Sequence, residues 1–136
     1  MLAWAQAEAG RFEDSTITIA ALMRQRAVDP IGDPFPDAWI AWARAAVVAS
    51  SGDRETAADL AVSGIGYLDD SDFSSLRAEA RIRAAQYLVA ARRIDAAERH
   101  ASEGLRIAEE KGYRRGAERA RAVLAEVEAL RATPAP

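Results

Sequence analysis

The segment RRIDAAERHASEGLRIAEEKGY, residues 92–113, repeats the pattern of DRETAADLAVSGIGYLDDSDF, residues 53–73. At a shift of 40 positions Ala57 falls on Ala97, Ala61 on Ala101, Gly64 on Gly104 and Ile65 on Leu105. In a chain with 33 alanines, identities alone say little. The order of small and large residues says more, because a unit stacked on its own copy must offer the same relief to each neighbour. In the later copy Ala97, Ala101, Gly104, Leu105 and Ala108 recur at helical spacing, while Glu98, Arg99, Glu103, Arg106 and Glu110 fill the other faces. That is an amphipathic helix. Its upstream mate has Ala57, Ala61, Ile65 and Leu68 on the packing side, with Asp59 and Ser63 facing away.

The repeated unit is longer than one helix. DAWIAWARAAVVAS from Asp37 and SLRAEARIRAAQYLVAA from Ser75 precede the two copies, joined to them by the short breaks SGD and RR. Both are rich in helix formers and free of Gly and Pro, so the unit reads as helix, tight turn, helix. Partial copies follow: LAWAQAEAGRFEDS matches RAAVVASSGDRETA with Gly10 on Gly52, and LAEVEALR from Leu124 matches AAQYLVAA from Ala84. One domain over 1–136 is expected, with a truncated first pair at 1–27, a second pair at 37–68, a third at 73–111 and a capping helix at 113–131. Between the pairs, VDPIGDPFPD has the Pro and Asp of a loop, DDSD supplies N-cap candidates, and TPAP ends the last helix. STITIAAL alternates Thr and Ile like a strand. The helix-forming AALMRQRA that overlaps its end, and register with the other copies, predict a helix packed through Ile19, Leu22 and Met23.

Bulk is scarce. Aromatic residues make up 7% of the chain, so close backbone approach at alanine must stand in for large side chains, with Ala45 near Ala57 and Ala85 near Ala97 where paired helices cross. The absence of Cys removes a disulfide framework, a zinc cluster and a thiol nucleophile. The start, MLAWAQAEAGRFED, shows neither a positive n-region nor a long apolar stretch, so no secretory signal or membrane span is expected and the chain reads as cytoplasmic. Charge is uneven, with 5 bases and 12 acids in residues 1–76 and 13 bases and 9 acids in 77–136. Such asymmetry can steer partners, and an ordinary solvated helix surface produces it as well.

Candidate catalytic groups are few. His100, the sole His, lies on the polar flank of its helix without a nucleophile motif nearby and reads as a solvated surface residue. Glu109 and Glu110 are adjacent, so a helix points them apart, which does not suit a carboxylate dyad. Gly64 and Gly66 in SGIGYL lack the third Gly and the strand context of a phosphate loop. No catalytic residue, metal site or cofactor is expected. Arg77, Arg81, Arg83, Arg114, Arg115, Arg119 and Arg121 cluster in the later half and suit an acidic peptide. Nucleic acid is disfavoured by the net charge of -3, the interleaved Glu79 and Glu118 and the lack of a helix-turn-helix signature.

The spacing resembles the tetratricopeptide repeat superfamily. Arg81, Ala84, Ala85, Leu88, Ala97 and Ala101 occupy its signature slots in one copy, and Ala41, Arg44, Ala45, Val48, Ala57 and Ala61 in the other. The small residues match, whereas most large ones depart from the pattern, and the period exceeds the usual length of about 34. That longer period, and RRIDAAERHASEGLRIAEEKGY in particular, is similar to the C-terminal repeat regions of large bacterial ATP-dependent transcription regulators. The resemblance implies an all-α fold, a right-handed solenoid of antiparallel helix pairs with a capping helix, and a protein or peptide partner held by the first helices of the pairs. On that basis Trp4, Trp39, Trp42, Ile82, Gln86, Val89 and Arg119 are expected to line a concave groove. Rigid aromatics make good anchors, although in so alanine-rich a chain the same tryptophans can simply fill the core. A second expectation is structural, namely that the apolar helix at Asp37–Ser50 and its neighbours pair with another copy of the chain or with further repeats.

Overall fold

The computed structural model describes residues 1–28 and 35–133, and every regular element among them is an α-helix. The seven helices are α1 (Leu2–Glu8), α2 (Phe12–Val28), α3 (Phe35–Ser50), α4 (Arg54–Gly66), α5 (Ser74–Ala90), α6 (Ile94–Glu110) and α7 (Arg114–Ala132). STITIAAL is helical within α2, as its register requires and against its period-two pattern. Helix α3 starts two residues before Asp37, with Pro36 in the first turn, where its missing N–H costs no intrahelical bond. The loop expected at VDPIGDPFPD lies for the most part outside the described residues, as does the end of TPAP.

The chain divides into two compact units, Met1–Tyr67 and Leu68–Pro136. In the first, α1 packs on α2 and α3, α2 packs on α3, and α3 packs on α4. Ala3, Ile19, Ile40 and Ala43 form a core there, with Trp4, Leu22 and Val47 against it. The buried Ser15 hydroxyl donates to the Ala3 carbonyl at 2.7 Å and joins α2 to α1. Met23, expected on the packing side, is 46% exposed instead. The inward row of α2 is Ser15, Thr18, Ile19, Leu22 and Arg26, and Met23 lies one step of about 100° off it. From Phe35 to Ser50 only Arg44 and Ser50 are exposed, which suits a helix that is apolar on nearly every side.

In the second unit α5 packs on α6 and on α7, and α6 packs on α7. Ala78, Ile82, Ile107, Ala108, Ala117 and Ala120 form its core, with Leu105 and Tyr113 against it. The acidic run before α5 does not cap that helix. Phe73 is the N-cap residue and makes no side-chain bond, while the Ser71 hydroxyl accepts from the Phe73 N–H at 3.0 Å. Asp53 does cap α4, accepting the Thr56 N–H at 3.1 Å.

The two hairpins α3–α4 and α5–α6 carry the same crossing. Ala45, Ala57, Ala85 and Ala97 are all 0% exposed. A Cβ placed on Gly64 would lie 2.8 Å from Trp42 Nε1 and 3.7 Å from Ala41 Cβ. One placed on Gly104 would lie 2.9 Å from Ile82 Cγ1 and 3.5 Å from Arg81 Cβ. Gly64 and Gly104, Trp42 and Ile82, and Ala41 and Arg81 are each 40 positions apart. One tight helix contact therefore occurs twice, at equivalent positions, each time where only glycine fits.

The turns repeat as well. Gly52 and Arg92, again 40 apart, end α3 and α5 in the left-handed region at φ 91° and 62°. After α5 the Arg92 N–H reaches the Val89 carbonyl and the Arg93 N–H reaches the Leu88 carbonyl, the two bonds of a Schellman motif. The same pair of bonds ends α6, from Gly112 to Glu109 and from Tyr113 to Ala108. Arg92 holds a conformation normally left to glycine.

Candidate functional site

In the first unit α1 brings Trp4, and α3 brings Trp39 and Trp42, into one aromatic cluster. Trp39 meets Trp42 edge to face with ring centroids 4.8 Å apart, and Trp4 lies 5.3 Å from Trp39 and 6.4 Å from Trp42. These separations are contact distances for aromatic pairs, so the rings fill the space among themselves. Trp42 is 1% exposed, with its indole edge against Gly64. That position corrects the expectation of a groove-lining Trp42, because the ring packs into the crossing of α3 with α4, against Gly64, instead of facing a partner. Trp4 and Trp39 are half-buried.

In the second unit Ile82 and Val89 are likewise buried, Ile82 completely, and are core residues rather than groove residues. Ile82 occupies the place of Trp42 one period later and packs on Gly104 for the same reason. Gln86 is exposed and Arg119 half-buried. These two approach each other, with Arg119 Nη2 3.4 Å from Gln86 Oε1, which is a long contact for a hydrogen bond. Of the seven groove residues expected from sequence, Trp4, Trp39, Gln86 and Arg119 thus present surface, while Trp42, Ile82 and Val89 do not.

The strongest polar feature is centred on Glu79, which the sequence offered only as one acid among arginines. Glu79 is 8% exposed. Its Oε1 takes Arg119 Nη1 at 2.5 Å and Arg83 Nη2 at 2.9 Å, and its Oε2 accepts from the Tyr113 hydroxyl at 3.0 Å. Burial pushes its carboxyl pKa up, but the Arg119 bond, the charges of Arg83 and Arg119 and the Tyr113 bond together hold it below the usual carboxylate range. Burial and the adjacent Glu79 charge push the Tyr113 hydroxyl up. A carboxylate held ionised by three donors is a poor proton acceptor near neutral pH. It serves as a strut joining α5 to α7. The signal was present in sequence, since Arg119 lies one 40-residue period after Glu79 and Arg83 one helical turn after it.

Four of the seven clustered arginines pair within the chain, on three carboxylates. Arg83 and Arg119 bind Glu79, Arg81 binds Asp69 at 3.0 Å, and Arg121 binds Glu109 at 2.8 Å. Arg114 and Arg115 are exposed on the first turn of α7. His100 is half-buried rather than solvated, with Nδ1 3.4 Å from Arg81 Nη1. Burial, followed by the charges of Arg81 and Arg99, lowers its pKa against the opposing pull of Asp69. Glu109 and Glu110 turn to different partners, Arg121 and Arg106.

Among the described residues no three His, Cys, Asp or Glu side chains gather as a metal site would need, and no helix is long and apolar enough to cross a membrane. Comparison with protein-family models, with curated proteins and with solved structures gives no match.

Proposed function

We propose that the chain is a non-catalytic helical-repeat module of the tetratricopeptide type, a right-handed array of helix pairs capped by α7, that holds a protein or peptide segment against the first helices of its pairs. The observation that supports this best is the duplicated crossing, Gly64 on Trp42 and Gly104 on Ile82, at one 40-residue spacing. Repeats that share a crossing bury a continuous core when stacked and leave their first helices as a binding face. The half-buried Trp4 and Trp39 in the first unit would act as aromatic anchors, and Gln86 and Arg119 in the second as polar contacts. The resemblance of residues 92–113 to the repeat regions of bacterial regulators favours a cytoplasmic signalling or transcription-regulating context, with a protein rather than nucleic acid as the partner of this segment.

The test is selection of a random displayed-peptide library on the intact chain, followed by measurement of the enriched peptides against Trp39→Ala and Gln86→Ala. The reading expects enriched peptides that bind at least about tenfold more weakly to Trp39→Ala, the loss typical of an anchor residue. Enrichment of nothing, or of peptides indifferent to both substitutions, would contradict it.

A structural role has its own support. Leu2 is 61% exposed, Ile17 64% and Val28 87%, apolar side chains on α1 and α2 that a second copy would cover. Sedimentation equilibrium separates the two readings, because self-association through this surface requires a concentration-dependent dimer that Ile17→Glu abolishes.

A further inference from the structure

Helix α3 has a second face, away from the one that bears Trp39 and Trp42. Asp37, Ile40, Ala41 and Arg44 lie at i, i+3, i+4 and i+7 and so share one side, roughly opposite Trp39 and Trp42. Helices α2 and α4 both pack on α3 and scarcely on each other. Above this face they leave a cleft of about 320 Å³, floored by Ile40 and Ala41 and walled by Met23 of α2 and by Tyr67 just past α4. Its volume is at the lower end for small-molecule sites, which run from about 300 Å³ upward.

The charges in the cleft are few and unequal. At one end Asp37 is occupied, bound by Arg26 through Nε at 3.1 Å and Nη2 at 2.5 Å. At the other end, about 10 Å along the axis, Arg44 makes no ion pair or hydrogen bond among the described residues. It is the one charged residue between Asp37 and Asp53. Among the described residues the lining therefore carries one uncompensated positive charge at one end of an apolar floor. A guanidinium without a carboxylate offers two parallel N–H donors to a planar anion, and Ile40, Ala41, Met23 and the Tyr67 ring offer cover for a short hydrocarbon body.

We propose that this cleft binds a small organic monocarboxylate, with the carboxylate on Arg44 and a short apolar body, of the size of a pentyl to a phenylethyl group, over Ile40 and Ala41. Two carboxylates are disfavoured, since at the other end Arg26 is already taken by Asp37 and the second would lose its water without gaining a free cation. The site lies on the far side of α3 from Trp39 and does not depend on the peptide-binding reading.

The test is calorimetric titration of the full chain with hexanoate and 3-phenylpropionate, with hexanol and 3-phenylpropanol as uncharged counterparts and adipate as the diacid. Saturable one-to-one binding of the monocarboxylates is expected, at least tenfold tighter than of either alcohol and tighter than of adipate. Arg44→Gln should weaken it tenfold or more, as loss of a charge-assisted bond requires, Arg44→Lys should weaken it less, and Trp39→Ala should leave it unchanged. Arg44 is exposed, and an unchanged urea midpoint for Arg44→Gln confirms that the fold is intact. Absence of saturable binding, equal binding of acids and alcohols, or indifference to Arg44→Gln would overturn the proposal. So would tighter binding of a tripeptide with a free apolar C-terminus, lost on amidation, because that result assigns the cleft to chain ends.

Discussion

Replacing Gly104 by alanine puts two known effects in opposition. Alanine in a helix interior is favoured over glycine by about 1 kcal/mol, so at an open position the substitution stabilises. At Gly104 the new Cβ would stand 2.9 Å from Ile82 Cγ1 and 3.4 Å from the Ala78 carbonyl oxygen. Carbon atoms pack best at about 3.5 to 4.0 Å, so the overlap exceeds half an ångström. Ile82 is fully buried and β-branched and has little freedom to turn away. Overpacking of this kind costs about 1 to 3 kcal/mol, which leaves a net loss of up to about 2 kcal/mol once propensity is subtracted. Urea unfolding at constant m-value reads this directly. A cycle with Ile82→Ala isolates the cause. That substitution alone should cost about 2 to 5 kcal/mol, and less in the Gly104→Ala background, where the added methyl fills part of the cavity. The coupling should be about 1 kcal/mol or more, as for residues in contact. Stabilisation by Gly104→Ala, or an additive cycle, would refute the close crossing.

Three further outcomes follow from the same contacts. Glu79→Gln should destabilise the chain by about 3 kcal/mol at pH 7, because it leaves Arg83 and Arg119 without their buried anion. The native carboxyl is held below its unfolded value, so that stability is present above about pH 4.3 and is lost as pH falls through the native pKa; urea midpoints of the two proteins should therefore converge in acid. His100 is the only imidazole, so one proton NMR titration follows it, and its midpoint should lie below about 6.5, since burial and Arg81 favour the neutral ring. A midpoint at or above that value would contradict its placement. Arg92→Gly should stabilise by up to about 1 kcal/mol, as relief from the left-handed conformation outweighs the added chain entropy, whereas Gly52→Ala should destabilise by a similar amount.

Much of the architecture could be read from the 40-residue spacing, because helix period, turn glycines and small crossing residues are all local or periodic signals. Gly52 and Gly104 were legible for that reason. Met23 is not legible as an exposed residue because α2 carries apolar side chains on several faces, Ile17, Ile19, Leu22, Met23 and Val28 among them, and only packing on α1 and α3 selects the one bearing Ile19 and Leu22. The site residues fared unevenly on the same principle. Periodicity assigns a helix face, but whether Trp42 or Ile82 meets solvent depends on what the facing helix presents, and there a glycine admits the side chain fully into the core. Glu79 was passed over because a carboxylate in a run of arginines resembles a solvated face. Its burial arises from Tyr113 and Arg119, 34 and 40 residues away.

The duplicated crossing can be observed without any substitution. In an isotope-edited NOESY spectrum of the intact chain, the account predicts strong cross-peaks from a Gly64 α-proton to the Trp42 indole N–H and from a Gly104 α-proton to the Ile82 γ-methylene. Absence of either cross-peak, with both glycines assigned, would mean that the two hairpins do not share one geometry.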